Sequence, residues 1–196
     1  MIELNPMIIF VAAIFTNNMI FSNFLGMCSY IAVSKEISTS LGLGEAVTFV
    51  LACTSVINYL IYYYILVPLN LEFLRFIIFI VSIAAFVQLL EMILERYLPN
   101  LYYALGIFLP LITVNCAILG VSLFMIIRNY TFLQSFAFSI GAGVGWTLAI
   151  VALAGIRQRI KLDSVPAGLR GPGIALITTG LMALAFMGFS GIVQIQ

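Results

Sequence analysis

Two cysteines carry most of the chemistry available to this 196-residue chain. Cys28 opens the run Cys-Ser-Tyr-Ile-Ala-Val-Ser and Cys116 the run Cys-Ala-Ile-Leu-Gly-Val-Ser, so both read Cys-x-x-x-x-Val-Ser. A thiolate is a soft ligand that suits copper(I), zinc and iron–sulfur clusters. Two thiolates do not close a tetrahedral sulfur site, and a [2Fe–2S] cluster usually takes four. A metal centre here therefore needs two further ligands from a second protein chain, either an identical copy or a relative. The plainer reading makes both residues small buried hydrophobes, as free cysteines commonly are. A Cys28–Cys116 disulfide is a third reading, disfavoured because exchange depends on access and neither cysteine is expected to be exposed. Cys53 has no counterpart in the second half of the chain and reads as packing.

The elements that must position these thiols are broken membrane helices. Ahead of Cys28 stand Asn17, Asn18, Ser22, Asn23 and Gly26, and ahead of Cys116 stand Gly106, Pro110, Thr113 and Asn115. Proline removes a backbone donor and clashes with the preceding turn. Backbone groups freed at a break need side-chain partners, because lipid offers none. The amides and hydroxyls can fill that role, bond to cluster sulfurs or line an ion path; the first is the expected use. Polar side chains in membrane helices also serve simply to join helices.

Composition fixes the solvent. The chain is 64% hydrophobic and 8% charged, against roughly 45–50% and about 25% in a soluble domain. It has no histidine, so the usual general base and nitrogen ligand is missing. A net charge of +1 gives nucleic acid nothing to bind. The three cysteines form no Cys-x-x-Cys pair, hence neither a zinc finger nor a disulfide framework. Glu3 and the absence of Lys or Arg before Lys35 argue against a cleavable signal peptide.

A bilayer core of about 30 Å needs roughly 20 apolar residues per helix. Six segments qualify, at 7–33, 44–67, 75–94, 104–127, 132–156 and 173–193. The expected fold is all-α: a single polytopic membrane domain of six transmembrane helices, with the first and fourth interrupted. Lys35, Arg96, Arg157, Arg159, Lys161 and Arg170 fall on one side, and only Arg75 and Arg128 on the other. The positive-inside rule then predicts a cytoplasmic side for the first group and periplasmic termini.

The two halves, about 1–97 and 98–196, repeat three patterns in order. After the cysteine motif comes Ser-x-Gly-x-Gly, at Ser40–Gly44 and Ser139–Gly143, then Leu-Arg, at Leu74-Arg75 and Leu169-Arg170. With three helices per half, the second copy enters the membrane from the opposite side. Such inverted repeats place binding sites near the midplane on interrupted helices, a pattern that a small secondary transporter would also show.

Leu105-Gly-Ile-Phe-Leu-Pro-Leu-Ile-Thr-Val-Asn-Cys-Ala-Ile118 resembles the signature of membrane subunits shared by two respiratory complexes. These are the Na+-translocating NADH:quinone oxidoreductase, with its D-type and E-type subunits, and the Rnf ferredoxin:NAD oxidoreductase, with its A-type and E-type subunits. Phe24–Cys28, Val33–Lys35, Gln88–Met92, Leu169–Gly171 and Gly180–Gly191 also fit, so the likeness covers essentially the whole chain. Gly143–Arg157 is closer to the Na+-pump branch, and the short Ile65–Arg75 connection to the Rnf branch. The resemblance implies a bacterial inner-membrane protein. It also implies that Cys28 and Cys116 supply two of the four ligands of a [2Fe–2S] centre shared with the homologous D-type subunit. Electrons would pass from the cytoplasmic NADH-oxidising subunit toward periplasmic FMN and on to ubiquinone, coupled to Na+ export. FAD, FMN and riboflavin would belong to others among the A-, B-, C- and F-type subunits, and this chain alone would have no turnover. In the Rnf alternative, ferredoxin and NAD are the terminal partners.

Two further expectations follow from position. Glu91, one turn from the end of its segment, is a candidate for Na+ involvement because ionisable residues within spans are costly; it can equally pair with Arg96. Trp146 and the tyrosines, including Tyr62–Tyr64 and Tyr102-Tyr103, read as interface anchors.

Overall fold

The computed structural model describes residues 5–97, 109–160 and 165–188. Tyr102, Tyr103, Gly106, Lys161, the start of the Leu105–Ile118 signature and the run from Phe189 lie outside the described residues. Among the described residues all secondary structure is helical.

The first apolar segment is two helices rather than one. Asn5 caps α1 (Pro6–Ile14) by accepting from the Met7 amide at 3.2 Å, with Pro6 in the first turn, where its missing donor costs nothing. The chain then turns irregularly until α2 (Met27–Val33), whose N-cap Gly26 sits at φ +82°. Phe24, two residues earlier, also has positive φ, +54°, an uncommon conformation for a bulky side chain. Backbone bonds from Ser22 N to Asn18 O, Phe24 N to Ile20 O and Leu25 N to Met19 O keep the break satisfied.

The second helix, α3 (Ile37–Ile61), continues as a π-helical turn through Leu66 and stops before Pro68. It begins seven residues before the apolar run at Gly44. The extra turns are polar, and Ser40 returns its hydroxyl to Glu36 O at 2.7 Å. A short 3-10 turn leads into α4 (Arg75–Tyr97). Next come α5 (Leu109–Thr113) and α6 (Cys116–Ile127). A Thr131/Gln134 capping box starts α7 (Phe132–Arg159), and α8 (Pro172–Met187) follows.

Among the described residues four stretches are long and apolar enough to cross a membrane: Ile37–Leu66, Glu72–Tyr97, Pro110–Ile127 and Phe132–Arg159. The apolar helix Pro172–Met187 is shorter. Apolar side chains such as Ile77, Val81, Leu89 and Met92 on α4 are exposed. An exposed apolar surface of that kind belongs against lipid or another protein.

Helix α7 is the centre of the molecule, packing on both α3 and α1. It does so with two glycine faces. A Cβ at Gly141 would lie 2.7 Å from Phe10 O, and one at Gly145 would lie 3.1 Å from Ala13 O, so these two admit α1. A Cβ at Gly143 would lie 2.8 Å from the Thr48 Cα, so this one admits α3. Small residues at helix contacts let backbones approach where lipid supplies no hydrophobic drive.

The single tryptophan departs from its expected place. Trp146 is 0% exposed and sits in the middle of α7 rather than at a helix end. Gly26, lacking a side chain, makes the room: a Cβ there would lie 2.5 Å from Trp146 Nε1. Of Tyr62–Tyr64, near the end of α3, Tyr63 and Tyr64 are exposed, whereas Tyr62 departs from the expectation and is buried in the core.

Candidate functional site

The two cysteines occupy the first turns of two helices that begin inside the apolar segments: Cys28 is second in α2 and Cys116 first in α6. The fold brings the two breaks together, because the Gly26 N–H donates to Cys116 Sγ at 2.9 Å. A loop of the first half thus reaches the thiol of the second. Ala117 packs on the same glycine, 3.1 Å from where its Cβ would be. Asn115 caps α6, its Oδ1 accepting from the Ala117 amide at 3.0 Å. The positive end of the α6 dipole therefore lies at Cys116 and favours negative charge there.

All three thiols are free, and Cys28 is exposed while Cys116 is half-buried. The expectation that neither is exposed fails for Cys28. Ser29 and Tyr30 take the inward positions of α2, with Tyr30 accepting a bond from Thr179 on α8, and this turns the Cys28 side chain outward. Cys53 lies within unbroken α3, half-buried.

Asn18 and Asn115 serve the backbone, the expected use. Asn18 Nδ2 donates to Ile14 O at 3.0 Å and to Gly145 O at 2.9 Å, while its Oδ1 accepts from Ile20 N at 3.0 Å. One side chain therefore closes the end of α1 and ties it to α7. Asn23 Nδ2 donates to the Met19 sulfur at 3.8 Å. Pro110 does not make the described break. It lies within α5, and the described helix stops later, at Val114-Asn115. Glu91 is half-buried on α4.

The Val-Ser half of the repeated motif has a structural role that the sequence does not disclose. Ser122 Oγ accepts from Asn58 Nδ2 at 2.9 Å, and Ser34 Oγ accepts from Arg157 Nη1 at 2.8 Å. Asn58 and Arg157 are 99 positions apart, the same separation as the paired Thr48 and Thr147. Each half's long helix therefore grips the serine of the other half's cysteine motif. Arg157 also donates to Ile31 O at 2.9 Å, closing the last turn of α2. Its place near a helix end, with other basic residues, marks it only as an orientation signal.

Among the described residues two buried side-chain N–H donors have no hydrogen-bond partner: Trp146 Nε1, against Gly26, and Nδ2 of Asn115, the residue before Cys116. Buried polar groups are rarely left unpaired, and each exception calls for an explanation such as an unseen ion or water. Among the described residues no three His, Cys, Asp or Glu side chains gather to hold a metal. The soft sulfur atoms at the two breaks are those of Cys28 and Cys116, and the Gly26 N–H already faces the second. That chemistry fits half the coordination of an anionic, sulfur-rich centre.

The family described as Rnf-Nqr subunit, membrane protein, matches residues 7–193. Among similar proteins, the E-type subunit of the Na(+)-translocating NADH-quinone reductase of Serratia proteamaculans is 57% identical over 190 residues, covering 94% of this chain and 96% of that protein. The E-type subunits of the same reductase from Pasteurella multocida, 58% identical over 190 residues, and Psychromonas ingrahamii, 56% over 194, cover the same shares. With the match spanning nearly every residue, this chain belongs to the Rnf-Nqr family of membrane-protein subunits.

Proposed function

We propose that the chain serves as the E-type membrane subunit of a Na+-translocating NADH–quinone reductase, active only within that complex. In this reading Cys28 and Cys116 provide two of four thiolates to a [2Fe–2S] centre, and the homologous D-type subunit provides the other two. The observation that carries it is the Gly26 N–H bond to Cys116 Sγ, which joins the two helix breaks at one point. The relatives favour the Na+-pump branch of the family over the Rnf branch.

When bound, the centre supplies a one-electron stepping stone inside the membrane, between the cytoplasmic NADH-oxidising subunit and FMN on the periplasmic side. The chain's own contribution is positioning and electrostatics. Net negative charge at membrane depth is costly, and the Gly26 amide and the start of α6 set positive partial charge against it. Trp146, Ala117 and Leu25 pack the inner side of Gly26 and Gly120, which keeps water from that side of the thiols. The exposed face of Cys28 is where the partner's ligands complete the set.

The reading includes the bacterial inner membrane, six spans in two inverted three-helix repeats, and periplasmic termini. Its repeat is supported by the reciprocal contacts of α3 and α7 and by the paired bonds of Asn58 and Arg157. Na+ export is coupled to the electron path in the assembled complex. The test is Cys28→Ala and Cys116→Ala in that complex. Each is expected to abolish the visible absorbance of the centre and NADH-driven quinone reduction. Wild-type iron content and turnover in either variant would overturn the assignment.

A further inference from the structure

We propose that the groove where α3 and α7 cross receives a membrane helix of another subunit of the complex, one bearing a lysine or arginine at mid-depth. The inference rests on the inverted-repeat and complex-subunit reading above and adds a second partner surface to it.

The groove has a volume of about 630 Å³ and two matching walls. Every lining residue on α3 has its counterpart 99 positions on in α7, as in Glu45 and Val144, Thr48 and Thr147, Phe49 and Leu148. Thr48 and Thr147 meet at 3.3 Å, and repeat-related residues that touch lie on the axis relating the repeats. For inverted repeats that axis runs in the membrane plane, at about mid-depth. Glu45 is three residues from Thr48, hence within about 5 Å of that level at 1.5 Å per residue. Its side chain is exposed, and none of the described lining residues is basic.

A bare carboxylate near the bilayer centre is costly and calls for a partner. The threonines add polarity of the same sense. Each hydroxyl gives its proton to a glycine carbonyl at 2.8 Å, which leaves its oxygen as an acceptor. The groove thus offers acceptors and no donor, framed by the exposed apolar side chains of Phe49 and Leu148. That is the complement of an apolar helix with one cationic side chain.

The volume decides against a lone cation, because a water-sized species takes about 30 Å³ and would leave most of the groove empty. A lipid chain would fill the space and leave the carboxylate in hydrocarbon. A second copy of this chain would set another Glu45 against the first. Nor is this the face that completes the thiol pair. Trp146, which lies against Gly26, is about 200° of helical turn from both Val144 and Leu148, so the groove opens on the other side of α7.

The experiment places p-benzoylphenylalanine at position 49 in the assembled complex, irradiates it and maps the adduct by mass spectrometry. The expected adduct is with a membrane helix of another subunit, within two turns of a lysine or arginine. Glu45→Lys is expected to lower its yield at least tenfold, and the isosteric Glu45→Gln severalfold. Exchanging the partner's basic residue for glutamate should restore the yield in Glu45→Lys. If the position-49 form fails to assemble, the same probe at Leu148, on the opposite wall, decides. Adducts only with lipid, or with a second copy of this chain, in a complex that holds its iron centre overturn this inference alone. A yield unchanged in both Glu45 variants overturns it as well; a raised Na+ requirement for turnover would then assign the carboxylate to the ion. A chain that purifies without other subunits overturns the functional reading and this inference with it.

Discussion

The hydroxyls of Thr48 and Thr147 lie 3.3 Å apart where α3 meets α7, and each also returns a 2.8 Å bond to the glycine carbonyl four residues earlier, Gly44 and Gly143. Each glycine faces the other helix's threonine. The chain order of these contacts makes the crossing antiparallel, with Gly44 opposite Thr147 and Thr48 opposite Gly143. A Ser-x-Gly-x-Gly repeat, followed four residues later by threonine, is therefore the sequence of a reciprocal contact. The expected consequence is steric. Gly143→Val would force its Cβ onto the Thr48 backbone, an overpacking that costs about 1–3 kcal/mol, whereas Gly42→Ala meets nothing within 4 Å and should leave stability equal or slightly higher. Unfolding of the purified chain in mixed detergent micelles measures both; equal losses would show that the crossing is not where the fold is tight.

Gly26 resists a side chain on two counts, its backbone conformation and its neighbours. Its φ of +82° costs an L-residue roughly 1–2 kcal/mol, and a Cβ would sit 2.5 Å from the Trp146 nitrogen. Gly26→Ala should push the Phe24–Gly26 turn away from α7 and break the bond to Cys116 Sγ. Maleimide labelling of Cys116 in a chain lacking the other two cysteines should then quicken at least severalfold. An unchanged labelling rate would mean that the turn does not cover that thiol.

The paired grips of Asn58 and Arg157 on Ser122 and Ser34 should be measurable as couplings. Truncating one partner leaves a buried hydroxyl or carbonyl unpaired, at about 1–3 kcal/mol. Arg157→Met should destabilise the chain, and Arg157→Lys should recover part of the loss, since one ammonium can still reach either the serine or Ile31 O. A double-mutant cycle of Asn58→Ala with Ser122→Ala should return an interaction of about 0.5–3 kcal/mol. Strict additivity in that cycle would reduce the shared motif to coincidence.

The sequence discloses the helix breaks because their cause is local: Asn18 and Asn115 bond backbone amides two residues on, and such residues inside an apolar run have few other uses. It discloses less where the cause lies elsewhere in the chain. Pro110 reads as the breaker of the fourth segment, yet the described stop comes after Thr113, where Asn115 caps the next helix. Trp146 reads as an interface anchor, and only Gly26, far off in sequence, makes its buried position possible. Arg157 carries the sign of a cytoplasmic loop and in the fold closes α2. Cys28 reads as buried by composition, but which face of α2 points inward is set by Tyr30 docking on α8.

That exposure yields the last prediction. Cys28 is exposed, while Cys53 and Cys116 are half-buried, so the chain purified alone in detergent should react with a membrane-permeant maleimide first at Cys28. Cys28→Ser should remove the fast phase and leave the slow one. Within the assembled complex the same thiol should be protected, because the partner's ligands and the centre between them cover it. The comparison needs no turnover and no iron measurement, only mass spectrometry of labelled peptides from the two preparations. A Cys28 that labels as quickly in the complex as in the isolated chain would place it on the lipid-facing surface, and would leave the cysteine motif as packing alone.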